Sequence, residues 1–194
     1  MSKDTIEIIV AIVVPVISAL YTFFTHRMDM KEQQEIREEQ KRLQDKQADI
    51  EAVAQYRQVK QLERDYKDDV IKLTVAVKNN DENAIHIAFL TLYSSFTDLF
   101  NEANAFCALL NTGAASSGGV LKNTGIDLVI KLAEDQCSTY ETLKTVAEKF
   151  GYKNELKRPD WNAFKEYDKF LMGHMIENKW EKLCDRRKNV GLKI

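Results

Sequence analysis

IHIAFLTLYSSFTDLFNEANAFCALL, residues 85–110, places an apolar side chain at almost every three- or four-residue step. Ile85, Ala88, Phe89, Leu92, Tyr93, Phe96, Leu99, Phe100, Ala103, Phe106, Cys107 and Leu110 fall on one wide face at about 100° per residue. A face that wide belongs to a helix packed on several neighbours, so this segment is the expected central helix of a bundle. Asn79-Asn80-Asp81 breaks the chain before it, with Asp81 placed to cap its first amides, and Asn111-Thr112-Gly113 closes it.

The flanking segments have the same period. Upstream, Met28 to Lys78 contains no Gly or Pro and is dominated by strong helix formers. Ile36, Leu43 and Ile50 recur every seven residues, but Gln40 and Gln47 hold the intervening seam positions, leaving half a heptad stripe. From Val59 the stripe thickens through Leu62, Tyr66, Val70, Leu73 and Val77. Such a segment is a solvated spacer or, packed beside parallel copies, part of an oligomer. Downstream, AASSGGVLKNTG (114–125) is read as a glycine-rich linker, and Thr124 as the cap of a helix running to Phe150 and closed by Gly151. Asp160 is the expected cap of one last helix carrying Trp161, Phe164, Tyr167, Phe170, Leu171, Met175, Trp180 and Leu183. No segment alternates with period two, so an all-α antiparallel bundle is predicted.

The amino-terminal stretch Ile8–Phe24, IIVAIVVPVISALYTFF, is uncharged. It approaches the roughly 20 residues a helix needs to cross a bilayer. The chain is therefore read as a short external tail (1–5), a single transmembrane helix (6–26), a polar helical extension (27–55) and a cytoplasmic helical bundle (56–194). Arg27, Lys31, Arg37, Lys41 and Arg42 follow the span, against Lys3 before it, which predicts the amino terminus outside. Three dispersed cysteines fit a reducing compartment. Within the span, Glu7, Ala11, Val14, Ser18, Thr22 and Thr25 share a narrow stripe. Two readings stand: the hydroxyls bond back to their own helix, or the stripe lines a pore or packs against other helices in an oligomer. A ring of Glu7 carboxylates suits a cation path, and Pro15 provides a bend.

Little in the chain points to catalysis. With 28 basic and 30 acidic residues the net charge is −2, which gives no electrostatic argument for nucleic acid. No metal-ligand cluster, nucleophile motif or cofactor signature occurs, so no cofactor is expected. The candidates are Lys169 and His174, separated by four residues in an all-helical setting. That pattern resembles the HEPN superfamily, where an Arg followed four to six residues later by His forms a ribonuclease site across a dimer. The imidazole acts as acid and base while the cation holds the phosphate. Lys169 departs from the pattern, because lysine lacks a bidentate guanidinium grip.

With its amino-terminal span, polar extension and degenerate HEPN-like bundle, the whole chain resembles the membrane accessory proteins of type VI-B CRISPR systems. The resemblance implies an oligomeric inner-membrane pore, a ring of copies that depolarises the cell and enhances antiphage defence beside an RNA-guided, RNA-targeting nuclease. The alternative is a membrane-tethered scaffold or interaction protein without a pore. A membrane-anchored HEPN ribonuclease is the third reading.

Overall fold

A computed structural model describes residues 3–112, 119–157, 159 and 164–192, with side chains from Tyr21 onward except 119–122. Five helices follow in order: α1 (Lys3–Asn79), α2 (Glu82–Asn111), α3 (Gly119–Phe150), α4 (Lys165–His174) and α5 (Glu177–Val190). Every described element is a helix, in agreement with the all-α expectation.

The chain divides into two units, Met1–Lys46 and Gln47–Ile194. The first is the amino-terminal part of α1. Its described apolar side chains lie open, among them Tyr21, Phe24, Met28, Ile36 and Leu43. Helical continuity there rests on composition and on local bonds such as Gln34 Nε2 to Glu38 Oε1 (3.1 Å). Residues 6–26 are helical, as predicted. The membrane placement is corrected: among the described residues, no helix is long and apolar enough to cross a bilayer. Within the described side chains of α1 the apolar run ends at Phe24, and Arg27, Asp29, Lys31 and Glu32 follow within about two turns. A single-pass inner-membrane protein with its C-terminal domain in the cytoplasm is therefore not carried forward.

The second unit is the bundle. Val59, Tyr66 and Leu73 of α1, Phe89, Phe96, Phe100 and Phe106 of α2, and Val129, Leu132 and Leu143 of α3 are at most 3% exposed. Removing each large side chain from water is worth roughly 2 kcal/mol, so the α2 phenylalanines dominate the core. Phe96 meets Phe100 at 4.9 Å between ring centroids, and Phe100 meets Tyr167 edge-on at 6.0 Å.

Two boundaries differ from expectation. α3 begins at Gly119, inside the expected linker, so Thr124 and Gly125 lie within the helix rather than before it. Gly125 has a packing role there: a Cβ at this position would sit 3.1 Å from Cζ of Phe106, so the missing side chain lets α2 and α3 approach closely. The expected last helix is two helices, α4 and α5, parted where Met175 and Ile176 adopt extended backbone. The break allows α5 to bury Leu183 and Arg187 while α4 buries Tyr167, Phe170 and Leu171. Phe164 gives α4 no side-chain cap. Instead, Asn104 of α2 accepts from the amides of Glu166 (3.1 Å) and Tyr167 (3.0 Å). The expected cap Asp160 and residue Trp161 lie outside the described residues.

Between α1 and α2 the turn is short. Asn80 takes a left-handed φ of 53°, and Asp81 accepts from the Ala84 amide at 3.1 Å, the predicted N-cap. Asp81→Ala should lower unfolding free energy by about 1 kcal/mol in urea denaturation. An unchanged midpoint would show that solvent satisfies those amides equally well.

Candidate functional site

The residues singled out in the sequence do not converge on a reactive centre. Glu7, Ala11, Val14 and Ser18 fall outside the described side chains. Thr25 directs its hydroxyl to the carbonyl oxygens of Tyr21 and Thr22, both at 3.0 Å, the back-bonding arrangement. Thr22 is exposed. Lys169 is exposed on α4, while His174 donates through Nδ1 to the Phe170 carbonyl (2.9 Å) and stacks on the Phe170 ring at 4.1 Å. Five residues of helix turn the two positions about 140° apart, so α4 does not bring them to one face. Among the described residues no group of three or more His, Cys, Asp or Glu is placed to hold a metal ion.

Three polar clusters bind the bundle together. Arg187 is wholly buried. Its Nη1 donates to Asp168 Oδ1 at 2.6 Å, and Nε and Nη2 donate to Gln136 Oε1 at 3.2 and 3.0 Å. The Tyr167 and Trp180 rings lie 5.9 Å from the guanidinium carbon. Glu63 of α1, 3% exposed, is approached by Lys60 (2.8 Å), Lys67 (2.6 Å) and Lys131 of α3 (3.5 Å). Burial alone would raise its carboxyl, but the bonds and charges of Lys60 and Lys67 prevail and hold it at about 2. His86 Nε2 lies 2.7 Å from Glu155 Oε2, and its ring lies tilted against Tyr152 at 4.6 Å, fastening the loop after α3 to α2. Burial pushes the Cys107, Cys137 and Cys184 thiols up, away from a reactive thiolate. Apart from Gln136 Nε2, which is buried without a hydrogen-bond partner among the described residues, these groups satisfy one another and hold structure.

Among the described residues, one feature left open is a groove of about 560 Å³ between the end of α1 and the start of α2. Ala76, Ala84 and Ala88 line it with small side chains. Ile71 (60% exposed) and Val75 (49%) stand on the α1 side, and Ile87 (67%) on the α2 side. Leu90, also exposed, follows Ile87 by three residues. Its charged members and Thr91 are already engaged, Asp81 as the cap of α2. Asp69 accepts from Lys72 (2.7 Å) and Ser95 (2.5 Å), and Thr91 donates to the Ile87 carbonyl (2.8 Å). Burial pushes the Asp69 carboxyl up, but its two donors outweigh that and lower it. The groove thus offers shape and apolar surface, without a free nucleophile or base among its described lining. Sequence reasoning passed it over because Ile71, Val75, Ile87 and Leu90 lie off the core stripes. The available signal was a second apolar spacing, i to i+4 on α1 and i to i+3 on α2.

No known family model matches the chain, no curated protein matches it, and no solved structure matches it.

Proposed function

We propose that this protein is a non-catalytic interaction module whose α1–α2 groove receives an apolar helix surface from another protein chain. The observation that carries this reading is the placement of Ile71, Val75 and Ile87, all about half exposed or more, around a groove lined by alanines. Burying one such side chain is worth about 1.5–3 kcal/mol, so three gathered around one groove offer a driving force for covering it. Small residues between two larger flanks suit a helix laid lengthwise, the helix-in-groove mode. The pore reading requires the membrane placement corrected above and is not part of this proposal.

Photocrosslinking tests it. Full-length chain carrying p-benzoylphenylalanine in place of Ile71 or Ile87 should crosslink to protein in its own cells. The same probe replacing Glu141, exposed on α3, should not. Adding Asp at the other groove position should abolish the crosslink while the circular dichroism melt moves by no more than about 2 °C, because both sites are solvent-facing. Equal labelling at all three positions would defeat the proposal.

A further inference from the structure

Along α1 the exposed stripe over the groove reads Asp68, Ile71, Val75, Lys78, at steps of three, four and three residues. All four side chains are exposed, and neither Asp68 nor Lys78 makes a hydrogen bond or ion pair within the described residues. These four positions run from a negative end through an apolar middle to a positive end, while Lys72 beside Ile71 is held by Asp69 and also feels the Asp68 charge. The stripe's charge order therefore reverses when the helix is turned end over end.

We infer that the occupant of the groove is a second copy of this chain, docked antiparallel about a two-fold axis at the level of Leu73. Resting on the docking reading above, this assignment goes further by naming the partner and its orientation. An axis there sets Ile71 of one copy beside the partner's Val75, and the reciprocal pair is generated by the same rotation. It also sets Asp68 beside the partner's Lys78, again twice. Each copy's Ile71 and Val75 enter the other's groove and cover Ile87. A parallel pairing would place Asp68 on Asp68 and Lys78 on Lys78, so charge selects the antiparallel arrangement. A two-fold interface has to be self-complementary, and this stripe meets that requirement with four residues.

Charge reversal and cysteine pairing on the full-length chain test the inference. Asp68→Lys alone should weaken self-association in sedimentation velocity by about tenfold, and Lys78→Asp alone should do the same. The double exchange D68K/K78D restores opposite charges and should recover association to within about threefold of the unaltered chain. In a mixture of I71C and V75C proteins, disulfide dimers should form several times faster than in either protein alone. Single exchanges without effect, or self-crosslinking of I71C as fast as the mixture, would overturn the two-fold arrangement. Photocrosslinks from positions 71 and 87 to a different protein would do so too, leaving the docking reading in place. Loss of those photocrosslinks altogether would remove both.

Discussion

Replacing Arg187 with methionine should lower the unfolding free energy by about 3–5 kcal/mol, the largest single effect expected in this chain. Methionine fills much of the volume but makes none of the three hydrogen bonds. Asp168, with its side chain 21% exposed, would lose its cation, and Gln136 Oε1 would lose both donors inside the bundle. Unpaired buried acceptors carry their full desolvation cost, whereas removing all partners together is far cheaper. The triple change R187M, D168N and Q136L should accordingly recover more than half of the loss. Arg187→Lys should fall between, since an ammonium cannot reach Asp168 and Gln136 with one planar fork. Urea denaturation of the four proteins checks the series. A methionine variant within about 0.5 kcal/mol of the unaltered chain would mean that the cluster does not hold α4 and α5 to α3.

Acid should weaken the bundle through Glu63. Its folded carboxyl titrates at about 2, below the ordinary 4.5. The unfolded chain therefore takes up the proton first as pH falls. The stability that Glu63 supplies is fully present above about pH 4.5 and is lost as pH drops towards 2. Lys60, Lys67 and Lys131 are 38%, 46% and 55% exposed, so water screens the pairs and the contribution is about 1.5–2 kcal/mol. Glu63→Gln should be less stable than the unaltered chain by that amount at pH 7, and the two curves should converge near pH 2. A gap that stays constant across this range would assign the difference to packing rather than charge.

The legibility of the fold varied with how local each signal is. Phe89, Phe96, Phe100 and Phe106 announce a core helix because their spacing repeats the helical period, and burial follows. Asp81 was readable as a cap because its bond reaches only three residues ahead. The α4–α5 break was not readable, since Phe170, Leu171, Met175, Trp180 and Leu183 continue an apolar pattern across it. Arg187 was missed for a related reason: a charged residue on a helix reads as solvated unless one notices that it follows Leu183 by four residues on the buried side. The start of α3 was hidden by Ser-Ser-Gly-Gly (116–119), whose turn chemistry ordinarily outweighs helix propensity. The groove is tertiary. It exists only once α1 and α2 lie side by side, and no single segment contains it.

The left-handed residue Asn80 has a consequence for how this hairpin tolerates length changes. One residue inserted beside Asn80 falls in non-helical backbone and can be taken up by a longer turn. One residue inserted inside α2, between Asp81 and Ile85, instead sets the cap about 100° out of phase with the face that carries Ile85 and Phe89. Either the cap or the core contact must then be given up. The two turn residues thus mark where the helical count begins: length is free within them and fixed just beyond.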